Sequence, residues 1–220
     1  MRRVAEDVFH IPLAPRDAVN AYLLGDVVVD AGLKGGGKRL VGALQGHAVG
    51  THVLTHAHGD HAGGSKRVVD AFEVPVWVGE RDRAYVESGS PPVADSWAKP
   101  MIARVTRYEP VAVARSLREG DAVGPGFVVL ETPGHSAGHV SLWREADRTL
   151  VCGDVLFNAH VVTTAAGLRE PPALVTPDPA RNRDSAKRLA ALEPELVLFG
   201  HGPPLRDPRA FKAFVDALAS

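Results

Sequence analysis

Thr55-His56-Ala57-His58-Gly59-Asp60-His61-Ala62-Gly63-Gly64 follows directly on His52-Val53-Leu54, a short apolar run with the content of a strand. Four side chains able to bind metal, His56, His58, Asp60 and His61, fall within six residues. Alternate residues of an extended segment point to one side, so His56 and His58 can face a common ion. Gly59 lets the chain turn and aims Asp60 and His61 at a second position. Neutral imidazole and carboxylate are ligands for zinc and iron, and catalytic centres keep a coordination position for water.

The rest of the chain offers matching groups. Phe127-Val128-Val129-Leu130 leads to Thr132-Pro133-Gly134-His135, Thr149-Leu150-Val151-Cys152 to Gly153-Asp154, and Leu196-Val197-Leu198-Phe199 to Gly200-His201. Each apolar strand delivers one His or Asp at its C-terminal end, beside a glycine. A lone histidine after a strand is usually structural. Three such ends together with the cluster make a constellation.

In their order, His56, His58, Asp60, His61, His135, Asp154 and His201 resemble the metallo-β-lactamase superfamily. Its pattern is His-x-His-x-Asp-His, a distant His, a bridging Asp and a final His. The resemblance implies an α/β fold, a four-layer αβ/βα sandwich with a two-metal site at the sheet edges. One metal would take His56, His58 and His135, the other Asp60, His61 and His201, with Asp154 between them. The cofactors implied are two divalent ions, zinc by default and iron or manganese as alternatives. Two such ions lower the pKa of a shared hydroxide that attacks a carbonyl carbon. Asp60 is the residue expected to pass a proton to the leaving group.

Departures from subfamilies narrow the expectation. True β-lactamases of this superfamily lack a bridging aspartate, so Asp154 counts against that activity. The chain is most similar to the hydroxyacylglutathione hydrolase (glyoxalase II)-like branch, in a short form without the helical C-terminal domain. A metal-dependent hydrolase of a small ester, thioester or lactone is expected; the alternative is an oxidoreductase similar to the mononuclear-iron persulfide dioxygenases. The lysine and tyrosines that hold glutathione in that branch have no counterpart in His160-Val161-Val162-Thr163-Thr164-Ala165 or at Pro203. No tyrosine of the acyl-homoserine lactonase type lies between Asp154 and His201. An apolar, uncharged pocket lined by Val161, Val162, Ala165 and Ala166 is expected, with poor turnover of both those substrates.

Composition fits a compact enzyme. At 220 residues and 45% hydrophobic, the chain can bury a substantial core as one domain, residues 1–220. A net charge of -1 with scattered cations argues against nucleic-acid or membrane-surface partners, leaving a small-molecule substrate, with a homodimer open. Met1-Arg2-Arg3-Val4-Ala5 has no apolar stretch behind it, so no secretory signal is expected. The single Cys152 excludes an internal disulfide and suggests the cytoplasm.

Strand patterns cover residues 8–13, 21–24, 27–29 and 74–78, and helical spacing covers 38–45, 65–72, 177–192 and 209–218. The irregular segments 83–110 and 157–179 are expected to shape the pocket. Trp97 is a candidate lid anchor, and Tyr85 and Tyr108 are candidate phenols for substrate. Asp30 is expected to orient a ligand and His139 to brace its loop. Cys152 should fill a buried strand position, and His10, His47, His52 and His160 should have surface or core polar roles. Gly35-Gly36-Gly37-Lys38 lacks phosphate-loop spacing, and no Gly-x-Ser-x-Gly elbow occurs.

Overall fold

A computed structural model describes residues 1–93, 101, 104 and 106–218. The first sheet runs in chain order: β1 (Arg2–Ala5), β2 (Val8–Pro12), β3 (Asn20–Leu24), β4 (Val27–Val29), β5 (Thr51–Leu54), β6 (Val76–Gly79) and β7 (Val113–Leu117). β1 to β4 pair antiparallel, through tight turns except for a longer loop over residues 13–19 between β2 and β3, whereas β4 to β7 pair parallel. Parallel pairs need crossovers. These contain α1 (Gly37–Leu44), then α2 (Gly59–Ala62) with α3 (Ser65–Phe72), then α4 (Arg83–Ser88).

The second sheet has the order β14-β11-β10-β9-β8, with β8 (Ala122–Val123), β9 (Phe127–Glu131), β10 (Val140–Arg144), β11 (Thr149–Gly153) and β14 (Leu196–Phe199). Between β11 and the parallel β14 lie a hairpin, β12 (Phe157–Ala159) with β13 (Ala166–Arg169), and α5 (Pro179–Ala190). α6 (Pro208–Asp216) closes the described chain.

The central strands are apolar on both faces, and both faces are covered, whereas the edge strands β1 and β7 carry exposed arginines. Tyr22 and Leu24 of β3 pack inward with Val29 and Val53 against Phe127, Val129, Leu142 and Leu198 of the other sheet. Ala21 and Leu23, one residue out of phase, pack outward on Leu40, Leu44 and Val68 of α1 and α3. On the far side Leu150, Val197 and Phe199 meet Ala186, Leu189, Phe211 and Val215 of α5 and α6. Period-two alternation between two apolar surfaces gives the four layers, α, β, β and α.

Helix starts follow side-chain chemistry. Asp178 accepts from Arg181 N (3.0 Å) and Asp207 from Ala210 N (2.8 Å), each followed by proline in the first turn. The helix that Pro177-Asp178-Pro179 introduces therefore begins at Pro179 and ends at Ala190, two residues short of Leu192. Segment 83–110 opens with α4, and segment 157–179 contains the β12–β13 hairpin, so neither is wholly irregular. Trp97 lies outside the described residues. No helix among them is long and apolar enough to cross a membrane.

Candidate metal centre

β5, β9, β11 and β14 send their following loops to one edge of the sandwich. Val140 N donates to Thr55 O (2.9 Å), Gly200 N to Gly153 O (3.1 Å) and Asn20 N to Gly200 O (2.9 Å), so the loops are knitted together there. Three groups of potential ligand atoms converge, each within 4.8 Å: His56, His58 and His135; His56, His61 and Asp154; and Asp60, His61 and His201. All seven residues singled out from the sequence are in these groups. Six are buried, and Asp60 is half-buried.

The outer partner of each imidazole fixes which nitrogen faces inward. Asp30 can only accept, so Thr55 gives it its hydroxyl proton (2.8 Å) and must accept from His56 Nδ1 (3.0 Å). His61 Nδ1 donates to Asp30 Oδ2 (2.8 Å), His201 Nδ1 to Ala18 O (2.6 Å) and His58 Nε2 to Pro92 O (3.0 Å). Thr176 gives its proton to Pro172 O (3.0 Å), so His135 Nδ1 donates to Thr176 Oγ1 (3.1 Å). In the neutral rings that an ion would need, the five remaining nitrogens all turn inward with their lone pairs.

Those lone pairs crowd. His58 Nδ1 stands 3.0 Å from His56 Nε2 and 2.9 Å from His135 Nε2. Asp154 Oδ2 lies 3.2 Å from both His61 Nε2 and His201 Nε2, and 3.4 Å from His135 Nε2. Asp154 Oδ1 is buried with no hydrogen-bond partner. An acceptor-only cavity with an orphaned carboxylate oxygen requires positive charge. The donor set fits two divalent ions.

Titration divides the site in two. Burial, reinforced by neighbouring imidazoles, pushes His56 well down and His58 to about 3. Burial would also lower His61 and His201, but Asp154, with Asp30 for His61 and Asp60 for His201, reverses this, taking His201 to about 10. Burial would raise Asp60, yet hydrogen bonding to His201 and the charge of His61 hold it low. Asp154 is likewise low, burial being outweighed by His201 and His61.

The bracing residues include two that the sequence does not reveal. Asp30, at φ 59°, a left-handed conformation aspartate tolerates, links Thr55 to His61. His139 accepts from Asp154 N (3.0 Å) and stands beside Thr132 Oγ1 (2.8 Å). Asp82 is fully buried and accepts from Ala57 N (2.9 Å), Ser136 Oγ (2.6 Å) and Gly138 N (2.7 Å), joining the His56 and His135 loops. Glu80-Arg81-Asp82-Arg83 reads as an exposed charged turn, so nothing local marked it. Asn20 donates to Phe199 O (3.0 Å) and Gly202 O (2.8 Å), clamping the loop of His201. Its position just before the apolar run 21–24 was the sole hint.

His10 and His52 are core polar groups, bonded to Asn20 (2.7 Å) and to Ser65 (2.9 Å). Cys152 is buried in β11. Tyr108 does not face substrate: its buried hydroxyl donates to Ala57 O (2.9 Å). Tyr85 lies on the exterior, outside the cleft lining.

A cleft of about 450 Å³ opens over His58, Asp60, His135, Asp154 and His201. Val161 lines it, but Val162 is 81% exposed, and neither it nor Ala165 nor Ala166 belongs to the lining. Lys34 and Arg107 do belong. The expected uncharged pocket is corrected: cations arrive from loops distant in sequence from residues 160–166.

The metallo-beta-lactamase superfamily matches residues 14–201. "Probable metallo-hydrolase YflN" of Bacillus subtilis (strain 168) is 30% identical over 215 residues, covering 88% of this chain and 81% of that protein. A hydroxyacylglutathione hydrolase of Bdellovibrio bacteriovorus is 29% identical over 150 residues, 67% of this chain but only 46% of that longer one. Among solved structures, TTHA1623 in a di-iron-bound form superposes with a TM-score of 0.70 at 31% identity, covering 90% of this chain and 94% of that one. BLEG-1 B3 metallo-beta-lactamase gives 0.65 at 29%, covering 90% and 93%. The chain belongs to the metallo-β-lactamase superfamily. Its fold is that family's α/β sandwich, and its His/Asp metal-binding groups mark it as an enzyme of the dinuclear metallohydrolase kind.

Proposed function

We propose that this protein hydrolyses a small ester, thioester or lactone with two divalent ions, one held by His56, His58 and His135, the other by Asp60, His61 and His201, with Asp154 shared. One observation carries this reading: five imidazoles, each locked by an outer partner, converge, four with a nitrogen against the buried Asp154 carboxylate and His58 against His56 and His135. When bound, the ions would supply Lewis acidity for the carbonyl and activation of water. The protein's own residues shape the cleft and move the proton. Phe157 packs at a tilt against the His201 ring, 4.4 Å between centroids, and gives that side of the cleft an apolar surface. Asp60 lines the cleft beside His201 (3.3 Å) and, once released from its ion, would pass a proton to the leaving oxygen or sulfur. Zinc is the default, and the di-iron form of TTHA1623 makes iron the first alternative.

Elemental analysis of protein purified without added metal, with assays on ester, thioester and lactone, tests the reading. Two ions per chain and metal-dependent turnover are expected. Asp154→Asn should loosen both ions and cut the rate by more than about a hundredfold, because a neutral amide cannot balance two cations. Normal metal content and normal rate in that variant would overturn the shared role of Asp154.

A second reading rests on the subset His56, His61 and Asp154, a two-histidine, one-carboxylate group of the sort that holds a single non-haem iron. That reading is an oxygen-consuming persulfide dioxygenase. One iron per chain, with oxygen uptake in place of acyl hydrolysis, would select it.

A further inference from the structure

Two different walls enclose the cleft. One is cationic and belongs to the helix that carries Asp60. A Cβ at Gly59, the first residue of α2, would lie 2.2 Å from Thr106 O, and one at Gly63, just past its end, 2.5 Å from Lys34 N. These glycines let the loops of Thr106 and Lys34 close on α2, and Arg107 and Lys34 line the cleft together with Asp60. Lys34 is 67% exposed and loosely paired with Glu109 (3.4 Å). Arg107, also exposed, has no hydrogen-bond or ion-pair partner among the described residues.

The other wall is apolar and belongs to His135 and His201. Phe157 packs on both rings, at 6.2 and 4.4 Å between centroids. Val175 precedes Thr176, the partner of His135, and Val19 follows Ala18, the partner of His201. The apolar lining reaches the surface at Val161, 52% exposed. An exposed apolar group at the mouth of a cleft, continuous with a buried aromatic lining, suits an apolar ligand group.

We propose that the substrate is an amphiphilic acyl ester or thioester whose leaving group carries an anion. Lys34 and Arg107 bind that anion beside Asp60, and the aliphatic acyl chain lies on Phe157, Val161 and Val175. This rests on the hydrolase reading above and names its substrate class. The reaction balances with water alone: the bond from the acyl carbon to the leaving oxygen or sulfur breaks, the acyl carbon gains the water oxygen, the leaving atom gains one water proton, and the second proton passes to solvent as the carboxylate forms. The products are a fatty carboxylate and an anionic alcohol or thiol.

The test is calorimetric binding of two non-hydrolysable thioethers to the metal-loaded protein, 3-(hexylthio)propanoate and its neutral amide. The carboxylate should bind about tenfold more tightly, the scale of a partly exposed charge pair. In the Lys34→Gln/Arg107→Gln variant that preference should fall below about threefold, since both residues are exposed and the fold does not depend on them. Replacing hexyl by ethyl should weaken both ligands by about tenfold or more, from the apolar area withdrawn. Equal affinity of the two ligands, or a preference that survives in the double variant, overturns the anion site; no loss on shortening the chain overturns the apolar one. A parallel assay with thioesters of 3-mercaptopropionate separates the two levels. A preference that responds to the variant without any acyl turnover would leave the anion site standing and sink the hydrolase reading.

Discussion

At the scale of single residues, charge balance decides the behaviour of the centre. Without ions, His61 and His201 hold protons against Asp154 and Asp60. Their pKa values are raised from 6.5, to about 10 for His201, so the folded form binds these protons more tightly than the unfolded chain. That stabilisation is fully present below pH 6.5 and disappears as pH rises through the folded value. Asp60 and Asp154 are lowered from 3.8, so their contribution is fully present above pH 3.8 and is lost as pH falls. Burial keeps His56 and His58 neutral in the fold, so they cost stability as pH falls below 6.5, and metal-stripped protein should therefore resist urea best near pH 6.5 and lose its midpoint toward acid and steadily toward about pH 10. A midpoint that climbs between pH 6.5 and about 9 contradicts the assignment. Ion affinity should move the opposite way, rising with pH, because each ion must displace those protons.

At the scale of elements, the strand ends work because glycine clears space beside each ligand. A Cβ on Gly200 would lie 2.0 Å from Asp154 Oδ1 and 2.5 Å from His61 Cε1. Gly200→Ala is expected to push the carboxylate aside and lower ion affinity by about tenfold to a hundredfold, the range for disturbed ligand support. Equilibrium dialysis against a chelator reads this directly, and unchanged affinity would mean that the loop yields. This Gly-His ending, like Gly153-Asp154 and Gly134-His135, was legible because an apolar run stops on a ligand. β10 was not: Val140-Ser141-Leu142-Trp143-Arg144 mixes polar with apolar residues, and Ser141 spends its hydroxyl inside, toward Cys152 O (3.2 Å). Asp82 and Asn20 stayed hidden for a related reason. Their partners are main-chain groups on loops brought near only by the closed fold, and no local pattern encodes that. The cleft lining suffers most from this limit, since Lys34 and Arg107 line one cleft from loops more than seventy residues apart.

At the scale of the whole molecule, the centre joins the two sheets. His56, His58, Asp60 and His61 follow β5 of the first sheet, whereas His135, Asp154 and His201 follow strands of the second. Each proposed ion takes ligands from both, so it bonds the two halves of the sandwich at one edge. The main-chain clamp from Asn20 and the Asp82 bridge tie the same edge without metal. The fold should therefore survive metal removal with reduced stability, unlike small domains that unfold without zinc. Ligands that bind only the folded form stabilise by mass action, about 4 kcal/mol when free ion stands a thousandfold above its dissociation constant. For a chain of this size that is a shift of about 8 to 16 °C in melting temperature. Calorimetry of metal-loaded and chelated protein at fixed pH should show two cooperative transitions separated by that interval, with far-ultraviolet circular dichroism unchanged below the lower one. Loss of the cooperative transition on chelation would show that the hydrogen-bonded clamps cannot hold the sheets together, and that the ions are required for folding itself.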